Sequence, residues 1–410
     1  MKILLITPQY PPEVNAPASR TYDHCKWWAK NCKADITVIC PAPNFPQGKV
    51  YDGYVNRFYS NEKIDGINVI RVWSWIVPNE GSFLKRTCSF LSFALMATIV
   101  GALQKRPDVI VATSPQFFTT FSGFFLSHLK SCPWIFEVRD MWPEGIIFLR
   151  KNSLVYKTLE KIEMFFYHSC EKIITVTHSF KKDILLRCPK IKPEKITVIT
   201  NGSNTKIFRP QLKNEDLLRP YGLEGKFIVG YAGTHGISHG LDFILRTLKR
   251  VEKEIPCAHF LFIGTGSEKS LMLNIAETLN LRNVSFLDPV SKSILPEMIS
   301  LFDIGLVPLK KKRAFLRVIP SKIFELCTME KPILLGVSGE ARDIVLTNKA
   351  GRCFDPENEN SFIEQLNLLY SERNKFKELY LRGLKKISNE FDRAYLAEKM
   401  YKEVLAKIVG

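Results

Sequence analysis

The stretch KFIVGYAGTHGISHGLDFIL, residues 226–245, decides the fold. An apolar run ends at Ala232, a loop with Gly233, Gly236 and Gly240 follows, and a helix pattern begins at Leu241. A continuous apolar strand feeding a helix through such a turn is half of a βα unit in a parallel sheet covered on both faces. Glycines there expose backbone N–H groups at the positive end of a helix, where phosphate binds. The spacing is neither G-x-G-x-x-G nor G-x-x-x-x-G-K-S/T, so an ordinary βα turn reads equally well. His235 and His239 are four apart, but the intervening glycine argues against one helical face and a shared metal.

The same device recurs in FIGTGSEKSL (262–271), with Gly264, Gly266 and Ser267 as the expected helix cap. Around these lie apolar runs at 259–264, 283–287, 303–309 and 331–336. Seven similar runs precede residue 201, at 2–7, 35–40, 67–73, 108–113, 134–138, 172–177 and 195–200. Between the two series, NGSNTKIFRPQ (201–211) and LKNEDLLRP (212–220) break the pattern with turn formers and charge. The expectation is an α/β protein of two doubly wound, Rossmann-like domains facing a central cleft at the carboxyl ends of their strands. Its parts are 1–205, 206–385 and a terminal helix, 386–410, packing back toward the first domain.

With 410 residues, 46% hydrophobic and 24% charged, the chain is globular rather than disordered or fibrous. A net charge of +17 points to a polyanionic partner or to a generally basic surface. Ten cysteines form no C-x-x-C pair and join none of the seven histidines at zinc spacing, which favours a reducing cytosol. The apolar run of MKILLITPQYPPE is too short for a signal peptide and reads as a first strand. TCSFLSFALMATIVGAL (87–103) is uncharged with basic flanks on both sides, which assign no orientation. It reads as a buried or interfacial helix rather than a span, with the core reading preferred.

Three further segments carry chemistry. In RVIPSKIFELCTMEKPIL (317–334), Ser321 is the expected N-cap, and Glu325 stands one residue too late for a capping box. LKKKRAFLRVIPSK (309–322) puts Lys310–Arg313, Arg317 and Lys322 between a strand end and that helix, where a diphosphate would bind. FEVRDMWPEG (136–145) sets Arg139, Asp140 and Glu144 just past a strand. The loop PQYPPEVNAPASR (8–20) has no glycine for close approach to a dinucleotide, which counts against an NAD enzyme.

These pieces, with PDVIVATSP (107–115), NGSNTKIF (201–208) and FDIGLVPL (302–309), resemble the GT-B glycosyltransferases of family 4 over essentially the whole chain. The likeness is strongest to bacterial O-antigen and capsule transferases of the L-fucosamine transferase type. The resemblance implies a retaining, metal-independent transferase without a cofactor. It would move a sugar such as L-FucNAc from a UDP-linked donor to a polyprenyl-diphosphate-linked glycan. It would work in the cytoplasm, on the anionic inner leaflet of the membrane, and bind no nucleic acid. It gives Glu325 the donor ribose, and implies Asp140, Arg139 and Arg317 as catalytic residues. Lys322, Ser321, Gly233, Thr234, His239, Gly264 and Gly266 are its other donor-site candidates, and Asn15 and Arg20 its acceptor candidates. Three positions depart from the family: Arg317 stands where many relatives carry a second Glu, and Thr234 and His239 stand where many carry the diphosphate-holding Arg and Lys. The rival readings are an epimerase or phosphorylase on the same fold, and a non-catalytic protein binding membrane or nucleic acid.

Overall fold

The opening apolar run forms β1 (Lys2–Ile6), the centre of the first of two sheets. The computed structural model describes residues 1–78, 83–114, 117–143 and 153–409. Pro115 and Glu144, named above within their motifs, lie outside the described residues. Contacts divide the chain into Met1–Thr200 with Arg393–Gly410, and Asn201–Asp392.

The first unit adds β2 (Asp35–Pro41), β3 (Tyr59–Ile64), β4 (Ile67–Val72), β5 (Val109–Thr113), β6 (Trp134–Val138), β7 (Lys172–Thr175) and β8 (Ile196–Val198). Their order is β3-β4-β2-β1-β5-β6-β7-β8, with every pairing parallel except the β3–β4 hairpin. Ile3 stands opposite both Ile36 and Val109, so β1 is apolar on both sides and buried. The edge strand β3 alternates exposed and half-buried residues and carries Glu62 and Lys63, which blunts the open edge. The helices are α1 (Ala16–Cys32), α2 (Phe83–Leu103), α3 (Thr119–Leu129), α4 (Leu154–Ser169) and α5 (His178–Arg187). Growth of the sheet reverses between β1 and β5, leaving a crevice at their carboxyl ends.

The second unit has β9 (Phe227–Ala232), β10 (Ala258–Ile263), β11 (Val284–Leu287), β12 (Ile304–Pro308), β13 (Ile333–Gly336) and β14 (Gly351–Cys353). They pair in parallel in the order β11-β10-β9-β12-β13-β14, so the reversal falls between β9 and β12. Around the sheet lie α6 (Leu241–Glu254), α7 (Lys269–Thr278), α8 (Leu295–Ser300), α9 (Lys322–Thr328), α10 (Glu340–Thr347), α11 (Glu359–Ser371) and α12 (Phe376–Glu390). Buried Ile228, Leu245, Phe260, Leu306, Phe324 and Leu334 belong to one core that joins the sheet to its helices.

The chain crosses between units at residues 200–201 and 392–393, rather than at 205 and 385. The entry and exit segments are stitched side by side: the Ser203 N–H donates to the Phe391 carbonyl at 3.0 Å, and the Thr205 hydroxyl donates to Asp392. This keeps all of α12 in the second unit. Beyond it, α13 (Arg393–Met400) returns to the first unit, where Leu396, Met400 and Val404 join the core beside Trp28 of α1. The Trp28 indole N–H donates to the Ala397 carbonyl at 2.8 Å in the core, and Arg393 pairs with half-buried Asp23 at 2.8 Å.

One expectation fails here. The apolar helix α2 is not a core helix: of its stretch Leu84–Leu103, with mean hydropathy 1.5, only 28% is buried. By length and composition that stretch could cross a bilayer.

Candidate functional site

The crevice at β9 and β12 gathers the segments singled out in the second half of the sequence. The loop after β9 is zippered to the loop after β10: Gly233 N–H donates to Ile263 O and His235 N–H to Thr265 O, each at 2.9 Å. Gly264 has φ +141°, and a Cβ there would meet the Gly233 carbonyl oxygen at 2.0 Å. Only glycine lets the two loops close on each other. From the β12 side, Lys310 N–H donates to Ser238 O at 3.0 Å and its ammonium stands 3.6 Å from Asp242 of α6.

Helix α9 supplies the charged groups. Ile323, Phe324, Leu326 and Cys327 are buried, which leaves Lys322 and Glu325, three apart, half-buried on one face. The Lys322 ammonium is buried, donates to no acceptor of the protein, and sits 3.8 Å above the centre of the Tyr231 ring. It lies against the Gly233 loop, where a Cβ would come within 3.0 Å of Nζ at φ +138°. Burial pulls this ammonium down to about 7, against the pull of Glu325. The Tyr231 face opposes the same drop, because an aromatic face favours a cation.

Both histidines of the loop are neutral. Burial, then Lys269 and Lys322, pull His235 down to about 4. Burial, then Lys322 and His235, pull His239 down to about 3. His235 is fully buried and neither ring nitrogen has a partner. Thus the loop offers neutral imidazoles and exposed Thr234, and its cation comes from α9. With seven residues, α9 contributes side chains rather than a strong helix dipole.

The cap expectations do not hold in detail. Ser321 has helical φ and ψ and makes no side-chain cap bond. Its carbonyl instead accepts from Phe324 and Glu325 while that of Pro320 accepts from Ile323, so the helix opens with a tight turn. Ser267 likewise caps nothing, since α7 begins at Lys269 after Glu268. Arg317 ends a 3-10 turn, Arg313–Arg317, half-buried beyond β12. Of the basic run, Lys311, Lys312 and Arg313 are exposed.

In the first unit, β6 carries Glu137 inward and delivers Arg139 and Asp140 past its carboxyl end. The Ser114 hydroxyl, after β5, accepts from the backbone of Arg139 at 2.8 Å and Asp140 at 3.4 Å. Arg139 is buried, donates to the Pro17 carbonyl at 3.3 Å, and burial lowers it to about 10. Asp140 is exposed at the crevice. Just beyond, Glu163 of α4 accepts the Trp142 N–H at 2.9 Å and pairs with Arg187, which fixes the end of the segment.

Arg20 does not reach a ligand surface. It is buried, its guanidinium pairs with Glu137, and it donates to the Ile199 carbonyl at 2.8 Å. Burial pushes the Glu137 carboxyl up, but Arg20 and Arg139 beside it prevail and hold it below its usual range. Asn15 is the cap of α1, its side-chain oxygen accepting the Ala18 N–H at 2.9 Å. Arg20→Ala is therefore expected to cost about 3–5 kcal/mol of stability, because it leaves a buried carboxylate unpaired. Chemical denaturation measures this, and a change confined to acceptor KM with stability intact would restore Arg20 to the binding site.

Residues 15–202 match the glycosyl transferase 4-like domain, and residues 214–385 match the glycosyl transferases group 1 domain. The chain belongs to the glycosyl transferases. The transferase is 25% identical over 336 residues to WcaI of Escherichia coli K12, whose name places it in colanic acid biosynthesis; the match covers 79% of this chain and 80% of that one. It is 24% identical over 237 residues to WbjE of Pseudomonas aeruginosa, named as a glycosyltransferase, covering 56% and 57%. Among solved structures, Anabaena HepE in complex with UDP and glucose superposes with a TM-score of 0.74 at 14% identity, covering 99% of this chain and all of that one. Sucrose-phosphate synthase of Thermosynechococcus elongatus gives 0.76 at 14% identity, covering 99% of each. The fold of the transferase is GT-B.

Several residues lining this crevice carry little signal in the sequence. Tyr231 lies inside an apolar strand and carried no signal. Lys269, tied at 3.3 Å to the Gly264 carbonyl, is one of many lysines. His235 was weighed only as a metal ligand; among the described residues no three His, Cys, Asp or Glu side chains group to hold a metal.

Proposed function

We propose that the protein is a retaining, metal-independent glycosyltransferase. It moves a sugar, such as an N-acetylated deoxy-aminosugar of the L-FucNAc kind, from a UDP-linked donor to a polyprenyl-diphosphate-linked glycan. The carrying observation is the buried Lys322 ammonium, which has no acceptor from the protein and faces a glycine loop. A buried ammonium without a hydrogen-bond acceptor is costly, and a diphosphate supplies one. Glu325, on the same face of α9, accepts the two ribose hydroxyl protons of the nucleotide.

When the sugar–phosphate bond breaks, positive charge grows at the anomeric carbon and negative charge on the departing diphosphate. Lys322 stabilises that leaving charge where it develops. In this reading Arg317, in the loop after β12, adds a second cation. In the first unit, Asp140, whose backbone N–H is held by the Ser114 hydroxyl, offers a carboxylate that accepts hydrogen bonds from sugar hydroxyls. Attack comes from the face that the diphosphate leaves, and the acceptor hydroxyl proton passes to the departing phosphate. A lipid-linked acceptor places the reaction at the inner face of the cytoplasmic membrane, which suits the +17 charge.

The test offers labelled UDP-sugars with and without lipid-linked glycan, in the presence of a chelator. Label entering the lipid fraction with its anomeric configuration kept is the expected result. A sugar altered without any acceptor would replace this reading with an epimerase, and chelator-sensitive transfer would remove its metal-independence.

A further inference from the structure

We infer that α2 lies flat in the headgroup region of an anionic bilayer, apolar side down, as a half-inserted helix that does not span. Its outward residues Leu84, Leu91, Leu95, Ile99 and Leu103 fall on one stripe, with Leu95 63% and Leu103 80% exposed. The opposite stripe, Phe93, Ala94, Ala97 and Val100, is buried against the protein. At 1.5 Å per residue the helix is about 30 Å long, so the stripe is far larger than a scattered surface leucine. Exposed Phe125 and Leu129 of α3 widen it, and Phe165 of α4 joins through its ring contact with Phe124 at 5.2 Å.

The helix is fastened to α3 over its second half, which argues against a span. Its Gly101 is in such close contact with α3 that a Cβ would meet Leu126 Cδ1 at 2.6 Å. The Ser122 hydroxyl donates to the Ala94 carbonyl at 2.8 Å, and the Lys130 ammonium donates to the Ala102 carbonyl at 2.9 Å. Only the outer side remains to meet another phase.

The charges select an anionic lipid surface. Lys85 and Arg86 stand in the first turn of the helix and exposed Lys105 and Arg106 follow it; 83–106 and 119–130 contain no acidic residue. Basic residues flanking an in-plane apolar stripe are the pattern of interfacial helices on anionic membranes. A second copy fits poorly, because both ends of the stripe are basic and either antiparallel or parallel pairing sets like charge on like. The inference deepens the reading of a lipid-linked acceptor but fails separately from it, since vesicles carry no acceptor.

The full-length protein is mixed with phosphatidylcholine vesicles with and without phosphatidylglycerol, and binding is read by flotation. Expected is tight binding to the anionic vesicles only, weakened about tenfold or more by L95E and further by L91E/L95E/I99E, with unchanged melting temperature. Transfer to a water-soluble acceptor fragment should be unaffected by the variants. Failure of the wild-type chain to float, or unchanged flotation of the triple variant, overturns the inference. So does resistance of the bound protein to alkaline carbonate, which would mean a span. A lipid-free dimer dissolved by L95E would assign the stripe to a second copy instead and equally overturn it.

Discussion

Lys322→Met should weaken donor binding and strengthen the fold, and the opposite signs are the diagnostic result. Loss of a charge-assisted contact to diphosphate, about 1.5–3 kcal/mol, raises the dissociation constant for a UDP-sugar by about 10–150-fold. Without ligand, however, the ammonium is a liability, because burial has pulled it from its ordinary value to about 7. A lysine lowered by folding destabilises fully below its folded value, where both states are protonated. The penalty fades as pH rises toward the unfolded value, because there the unfolded chain binds the extra proton. The methionine variant should therefore melt higher than wild type at pH 6, with the gap shrinking up to about pH 10.5.

Ligand binding shows the mirror image. Diphosphate favours the charged lysine, so affinity should be flat below about pH 7 and then fall by up to about tenfold per pH unit. The groups facing the ammonium do not blur this slope: Tyr231 is pushed far up by burial, and His235 and His239 titrate near 4 and 3. Calorimetry in buffers of different ionisation enthalpy should detect proton uptake on binding near pH 8 and none in Lys322→Met. Equal proton uptake in both proteins would take Lys322 out of the diphosphate site.

Glu325→Gln is expected to raise the donor dissociation constant by about 10–100-fold, since a carboxylate that accepts two hydroxyl protons becomes an amide that accepts one less well. Ribose specificity provides the check. Against wild type, a 2′-deoxy donor should bind more weakly by a similar factor; against Glu325→Gln the same deletion should cost little, because the partner is already gone. Additive losses would mean that Glu325 acts on something other than ribose. Turnover at saturation should change less than affinity, which separates it from Lys322, where leaving-group charge is at stake.

Most of this architecture could be read from the chain because parallel strands buried on both faces are continuous apolar runs, and twelve of the fourteen strands among the described residues announce themselves that way. The two missed strands lack that signature for physical reasons. Strand β3, YSNEKI, is an edge whose outer face meets water, and β14, GRC, is three residues long. The crevice residues Lys322, Glu325, Gly233 and Gly264 were legible because βα turn chemistry confines glycine and charge to strand ends. Arg20 was not: a basic residue near such a loop looks like a ligand contact until Glu137, 117 positions away, is seen to claim it. The outward stripe of α2 was also hidden, since an all-apolar helix shows no polar face to tell which side the protein covers.

The return of residues 393–410 to the first unit carries a consequence for biosynthesis. The second unit is contiguous and can fold as soon as residue 392 leaves the ribosome. The first unit, begun earliest, must wait nearly two hundred residues for Leu396, Met400 and Val404 to seal the surface around Trp28. Such late, long-range closure is slow and leaves apolar surface open during synthesis. The nascent chain is thus most exposed to chaperones and to misassembly in the half it made first.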